Sequence, residues 1–325
     1  MAVYDPRGGG NVHVDVVLSN ISVAFPQGDF VGNLLFPQVS VAKQTNKYYI
    51  FGRESWAVEP GGDLRAPGTP ANEIAGMLVS TDSYFCRDHS LRIPVTMEER
   101  ENADNPLDPL SDGTMLVTQK VLLVRELAMK TMVTTTANYE SGLSVTLAGG
   151  QQWSDYVNSN PISDIKTGIR AVHAGLFTFV NTAVLPYQVM TQLEDHPDFI
   201  ERIKYSQRGI VTSELVGALF TIPNLIVPGV GYNSANPGQT ASLTYLWGKD
   251  VVLAYVPAAA GIKTPAFAYE FVWPYQGLSQ TVERWWVQDR KSDLIQMCRR
   301  YDLKFVALGA TSKAMAGYVI KAAVA

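Results

Sequence analysis

The longest regular pattern of apolar and polar positions runs over residues 108–136. Val117, Val121, Val124, Ala128 and Met132 recur at i, i+4, i+7, i+11 and i+15, which places them on one helical stripe. Leu116, Leu123 and Leu127 widen the stripe, and Gln119, Glu126 and Lys130 fall on the opposite side. Asp108 is placed to cap this helix, and Pro109 suits its first position. About 27 helical residues at about 1.5 Å each span roughly 40 Å. The usual mean helix has only about 11–12 residues. A helix this long needs support along its length. The pattern predicts a spine between an extended part of the chain and a compact one. A long core helix of an α/β enzyme has the same pattern.

Before the helix the chain reads as extended. Gly8, Gly9 and Gly10 favour a flexible arm, and residues 14–23 are apolar and β-branched, a short helix or an extended segment. Phe30, Leu34, Leu35 and Phe36 form an apolar anchor that ends at Pro37. Val39 and Val41 alternate with polar residues, as in a strand. Residues 47–58 are rich in aromatic and β-branched side chains and read as a strand. Residues 77–95 read as its returning partner, with Leu91, Ile93 and Val95 on one face. Pro60, Gly61, Gly62, Pro67, Gly68 and Pro70 lie between the two and sustain neither helix nor central sheet. A two-stranded excursion with an irregular tip is marginal by itself in water. Nothing in the chain is evident to hold it, so the expectation is support from a neighbouring copy.

After the helix, residues 139–156 are turn-like. Ser163 is expected to cap a helix with Ile165, Ile169, Val172 and Leu176 on one face. Residues 187–203 read as two helical parts broken at Pro197, and Thr212 or Ser213 as the cap of a helix ending at Phe220. Short strands are expected at 183–185, 224–227 (buried), 251–256 and 266–273. Longer ones are expected at 281–288 and 294–308, with turns near Arg290 and Asp302. This order is α+β rather than a strict βαβ alternation.

Composition narrows the function. The chain has 325 residues, enough for one large domain or two to three small ones. Charged residues make up 17%, below the usual figure of about 25%, as in a chain that hides polar-poor surface against other subunits. The net charge of −4 gives no basic excess for wrapping nucleic acid. Cys86 and Cys298, far apart, form neither a disulfide framework nor a zinc pattern; they read as buried thiols of a reducing cytoplasm. The N-terminal residues lack a signal-peptide pattern, and no run of about 18 apolar residues marks a membrane span. The expectation is a soluble chain.

Candidate chemistry is thin. Residues 228–233, PGVGYN, lack the third glycine of a dinucleotide loop and the lysine of a phosphate loop, and read as a turn. Glu194, Asp195, His196 and Asp198 are metal-ligand types, but Pro197 interrupts them, and Asp195 or Asp198 is better read as a helix cap. Asp88, His89 and Ser90 invite a triad reading, yet neighbours on a strand point to opposite faces. Cys86 has no basic cluster to activate it. Trp273, Trp285 and Trp286 could stack bases, but the basic residues around them are sparse, and packing is the better reading.

Several stretches together resemble the major capsid proteins of tailed bacteriophages, which share the Hong Kong 97-type capsid fold. FVGNLLFPQVSVAKQTNKYYIFG is similar to the family's arm leading into its extended loop. NPLDPLSDGTMLVTQKVLLVRELAMKTM is similar to its spine helix. HPDFIERIKY, NLIVPG, LWGKDVVLAYVP and PAFAYEFVWP resemble its axial domain in order, and RRYDLKFVALGATSKAMAGYVIKAAV its closing strands. The likeness rests on order and texture, since the family has no short invariant motif.

The resemblance implies an α+β chain with an N-terminal arm (1–42), an extended two-stranded loop (43–96), and a spine helix and peripheral domain (97–160). Part of 281–325 would complete the peripheral sheet; an axial domain (161–300) and closing strands (301–325) would follow. It implies self-assembly through pentamers and hexamers into the icosahedral head shell of a tailed phage. That shell would enclose double-stranded DNA without sequence-specific binding. The implied role is structural, with no catalytic, cofactor or metal residues and no membrane. Its place would be the virion, after assembly in the bacterial host cytoplasm. The chain runs almost directly into the arm, so the expected scaffold is a separate protein; a portal and a cement protein are further expected partners. The loop tip has no lysine, so a crosslinked shell is not expected. An encapsulin-type compartment shell is the near alternative, and a soluble hydrolase using Asp88 or the 194–198 cluster the distant one. Trp56 and Arg65, in the excursion, are the expected subunit contacts. Deleting residues 61–70 is expected to leave the subunit folded and to impair assembly. Sedimentation and electron microscopy of the deletion variant test this, and wild-type-like shells would count against the loop's role.

Overall fold

The computed structural model describes residues 13–14, 30–51, 63–71, 73, 79–103, 108–203, 212–235, 238–261, 264, 266–309 and 311–325. In chain order the helices are α1 (Gly32–Leu35), α2 (Met97–Glu101), α3 (Pro109–Thr134), α4 (Pro161–Leu176), α5 (Tyr187–Glu194), α6 (Pro197–Ile203) and α7 (Ser213–Phe220). The strands are β1 (His13–Val14), β2 (Gln38–Ser40), β3 (Thr45–Phe51), β4 (Val79–Phe85), β5 (Arg87–Thr96), β6 (Ser144–Thr146), β7 (Thr182–Val184) and β8 (Asn224–Ile226). They continue with β9 (Gly231–Asn233), β10 (Leu243–Tyr245), β11 (Val251–Ala254), β12 (Ala268–Val272), β13 (Gln280–Val287), β14 (Ser292–Phe305) and β15 (Gly317–Lys321).

Two sheets carry the described chain. The first is centred on β14, whose 14 residues pair with β13, then β12, along one edge and with β5 along the other. β2 adds to β12 in parallel, and β1 adds to β13. The second sheet runs β6–β15–β11–β7–β8. Its centre is closed by α4, where Gly168 lets the helix approach Leu253 and Tyr318; a Cβ there would stand 2.6 Å from the tyrosine ring.

Helix α3 joins the two. The Asp108 carboxylate accepts from the Leu110 N–H, and Pro109 occupies the first turn, as the sequence predicts. Val117 and Val121 pack with Val95, Val282, Ile295 and Met297 of the first sheet. Met129 and Val133 belong to the larger core of the second sheet, with Leu35, Phe36, Leu253 and Val319.

The buried face of α3 is not the expected stripe. It contains Thr114, Val117, Thr118, Val121, Leu122, Arg125, Glu126, Met129 and Val133, whereas Leu116, Val124 and Leu127 are exposed. Apolar and polar residues fall on both faces of the helix, so apolar spacing alone did not select one. Arg125 and Glu126 select it, because both are charged and both find partners only inward.

The excursion forms as an antiparallel pair, β3 with β4, in register from Thr45↔Phe85 to Phe51↔Val79; the expected returning strand over 77–95 divides there, and Leu91, Ile93 and Val95 belong to β5, which pairs with β14 instead. The base of the excursion is held by its own chain, against the expectation that nothing in the chain does so. The Tyr84 ring stacks on Phe271 at 4.8 Å, the Tyr48 hydroxyl donates to the Phe305 carbonyl (3.4 Å), and the Phe85 N–H donates to Asp302 (2.9 Å). That last bond also corrects the expected turn near Asp302. Its carboxylate serves β4, and β14 runs through it without interruption.

The remaining corrections are local. Asn160, not Ser163, caps α4 by accepting from the Ser163 N–H at 2.9 Å. The glycine-containing stretch read as a turn contributes β9, which pairs with β10. Strand β8 lies at the edge of its sheet and is only half-buried, so the expected buried strand there is exposed on one side. Thr212 caps α7 as expected, and the break at Pro197 separates α5 from α6.

Candidate functional site

Charges inside apolar runs mark the most connected part of the molecule. Arg125 and Glu126 interrupt an apolar helix, Glu270 sits in AFAYEFVW on β12, and Arg299 sits in β14. Glu270 is 0% exposed and stands between two guanidinium groups. Arg125 donates to it through Nε (2.8 Å) and Nη2 (2.6 Å), a bidentate pair. Arg299 donates through Nε and Nη2 at 3.1–3.2 Å. Arg125 also reaches Asn33 Oδ1 at 2.8 Å. Burial lowers the Arg299 pKa from its ordinary value, against the attraction of Glu270.

Glu126, one residue on, points elsewhere. Its carboxylate accepts from the backbone N–H groups of Val31 and Gly32, each at 2.9 Å, and from the Trp247 indole N–H at 3.0 Å. Burial raises this carboxyl above its ordinary value, against those three donors and Arg125. Gly32 must be glycine for this approach, since a Cβ would stand 2.6 Å from Glu126 Oε2. Every group in the junction is satisfied internally, so the arrangement fixes geometry and offers no open position for chemistry. Sequence reasoning does not single it out: Glu270 alone is a lone charge in an apolar run, Arg125 and Glu126 are an adjacent pair, and Arg299 lies in the charged stretch RRYDLK.

The residues considered for chemistry are engaged separately. Asp88 pairs with Arg300 (3.3 Å), while His89 stacks on Tyr301 at 4.3 Å, so the triad reading has no convergence. Burial pushes both the Cys86 and Cys298 thiols up to about 11, which leaves them protonated at neutral pH. Arg300 covers the Trp273 ring at 5.6 Å, and Trp286 is exposed by itself at the end of β13. Among the described residues, no group of three or more His, Cys, Asp or Glu could hold a metal ion. None of the described helices is long and apolar enough to cross a membrane.

In the 194–198 cluster Asp195 takes the C-cap position of α5, one of the two expected caps, and the start of α6 is capped by His196. Its Nδ1 accepts from the Asp198 N–H at the start of α6 (3.2 Å), and its Nε2 donates to Ser159 Oγ (3.1 Å). An acceptor at Nδ1 fixes the neutral tautomer. The ring is buried, with Tyr156 edge-on at 5.5 Å, and burial lowers its pKa.

Of the two expected subunit contacts, Trp56 lies outside the described residues. Arg65 is exposed, beside Leu64, just ahead of a turn closed by the Thr69 N–H to the Ala66 carbonyl. A second exposed surface is the outer face of α3, where Met115, Leu116, Val124 and Leu127 face solvent.

No protein-family model matches the chain. It is 29% identical over 248 residues to the major capsid protein of Burkholderia phage BcepMu, covering 76% of this chain and 78% of that one. It is 28% identical over 244 residues to the major capsid protein of Pseudomonas phage JBD67, covering 74% and 77%. Among solved structures, a phage-related protein from Bordetella bronchiseptica RB50 matches with a TM-score of 0.74 and 24% identity, over 96% of this chain and 98% of that one. A virus-like particle from Pyrococcus furiosus matches with a TM-score of 0.56 and 9% identity, over 94% and 98%. A structure from Mycobacterium phage Bobi matches with a TM-score of 0.54 and 11% identity, over 99% and 94%.

Two outcomes are expected from the geometry. Glu270→Gln leaves two buried guanidinium groups without a counter-charge, and denaturant unfolding should show a loss of about 3–5 kcal/mol. Replacing the triad together, as Arg125→Met, Glu270→Leu and Arg299→Met, should restore most of it; a loss under about 1 kcal/mol for Glu270→Gln would contradict the junction's role. For His196 the folded pKa is depressed, so the unfolded chain binds the extra proton first. Its contribution is present above the unfolded value of about 6.5 and is lost as pH falls below it. Wild type should lose more stability than His196→Gln between pH 7 and pH 5, and parallel pH profiles would rule this out.

By sequence and by fold, this chain is a relative of the major capsid proteins of tailed bacteriophages, built on the Hong Kong 97-type capsid fold.

Proposed function

We propose that this chain is the repeating subunit of an icosahedral phage head, in which many copies enclose double-stranded DNA. The observation that carries the reading is its likeness to two phage major capsid proteins over about three quarters of each chain. The role is structural, without catalysis. In support, the polar groups that invited a catalytic reading are each used in an ion pair, a ring stack or a helix cap. Pentamers and hexamers would be the units of the shell. The net charge of −4 suits a wall that encloses nucleic acid without holding it strongly.

The division of labour follows the family pattern. Residues 1–42 would act as an arm, the β3–β4 part of 43–96 as a loop laid over a neighbour, with β5 remaining in the first sheet, and 97–160 as the spine and peripheral part. Residues 161–300 would form the axial part, with 301–325 as closing strands. The exposed apolar side chains of the β3–β4 pair, Tyr49 and Val79, are what such a loop presents to a neighbour. Trp56 and Arg65 remain the proposed contacts on it. A separate scaffold, a portal and a cement protein complete the expected set of partners. The virion is the proposed location, with assembly in the host cytoplasm.

Negative-stain electron microscopy and sedimentation velocity of the expressed chain test the reading, first alone and then with the scaffold protein supplied. Closed shells, partial shells or capsomer-sized rings are the expected result. Small discrete species under both conditions would overturn it.

A further inference from the structure

We propose that an aromatic knob at one end of the second sheet docks into a tyrosine-lined recess at the other end of the same sheet in the next copy of the chain. The inference rests on the shell reading above and deepens it. Phe177 and Phe179 form the knob, and Tyr187 and Tyr245 line the recess.

The knob is built where α4 ends. Phe177 closes the helix in the left-handed region, at φ 52. Glycine is the usual residue there, because a Cβ crowds the following carbonyl. Phe177 is nevertheless 65% exposed, and Phe179 is 71% exposed. The imidazole of His173 braces both rings, at 4.6 Å from Phe179 and edge-on to Phe177 at 6.3 Å. Two large aromatic groups are thus held rigid and turned outward at the expense of local backbone strain. Exposed aromatics braced in this way are the side chains that anchor protein interfaces.

The recess has a volume of about 300 Å³ and is lined by Tyr187, Thr191, Tyr245 and Lys249, among others. Tyr187 and Tyr245 face each other at 5.8 Å with an interplanar angle of 36°, and both remain exposed. A phenyl ring entering it meets two aromatic rings and finds the offset or tilted contacts that such rings prefer.

The sheet register separates the two features. Phe179 precedes β7 and Tyr187 follows it. β11 runs antiparallel to β7, with Ala254 opposite Thr182, so Lys249, ahead of β11, lies at the Tyr187 end. Knob and recess therefore mark opposite ends of one sheet. Unlike patches make a head-to-tail contact, which closes into a ring when the rotation allows and does not stop at a two-fold dimer. That is the symmetry a pentamer or hexamer needs, and it selects a second copy of this chain as the occupant.

Phe177→Gly is the discriminating variant, because it relieves the backbone while removing the ring. Its thermal midpoint should equal or exceed that of wild type. Its yield of shells, scored by negative-stain microscopy and sedimentation with scaffold supplied, should fall by about tenfold or more, as for loss of an interface hot spot. Phe177→Asn, also tolerant of the left-handed region, repeats the test should the glycine variant fail to fold. In assembled particles, Thr178→Cys combined with Lys249→Cys, which keeps all four rings, should give a ladder up to rings with a short bis-maleimide. Stable variants that form shells at wild-type yield overturn the knob and leave the shell reading standing. Failure of wild type to form any particle overturns both.

Discussion

The fold depends on one carboxylate, Glu270, held between Arg125 and Arg299 without access to water. Such a group is a poor stabiliser compared with well-packed apolar side chains, because three charges must be stripped of water to form it. Once formed, it tolerates little movement. Sliding α3 along the first sheet, or shifting β12 against β14, would expose or orphan a charge in the interior. Glu126 extends the constraint. It faces away from its neighbour Arg125 and binds the backbone ahead of α1 and the Trp247 indole. Two adjacent residues on one helix thereby fix that helix to the first sheet, to the chain entering α1 and to the flank of the second core.

This explains how a subunit with little charge can leave so much apolar surface outside. The interior of α3 is specified by its charged pair, so the apolar side chains opposite are free for other contacts. Val124 is 52% exposed on a helix whose buried face includes an arginine and a glutamate. The β3–β4 pair is similarly divided. Its base is tied to Phe271 and Asp302, while Tyr49 and Val79 remain outside. A contiguous apolar surface on a well-determined body is the usual mark of a protein made to meet other proteins. A chain related to shell subunits meets copies of itself.

The groups that invite an enzymatic reading illustrate how position overrides residue type. His196 is a helix cap because Pro197 starts α6 and leaves the Asp198 N–H to be satisfied. Asp88 and His89 are parted by the pleat of β5 and serve Arg300 and Tyr301. The two thiols are held protonated by burial.

The sequence by itself determined the elements whose signals are local. Asp108 and Pro109 began α3, Pro197 broke a helix, and Thr212 capped another, because caps and prolines act within a turn. The order of elements was also legible, and it carried the likeness to phage capsid proteins. Tertiary structure decided what local pattern leaves open. The face of α3 turned on partners 145 residues away at Glu270, a distance over which periodicity carries no information. Asp302 resembled a turn residue until Phe85 supplied its donor, and Ser163 resembled a cap until Asn160 stood one turn closer to the helix start. Of the junction, only Glu270 was visible as a lone charge in an apolar run, costly by itself. Packing brought opposite signs together, and that is what made them acceptable.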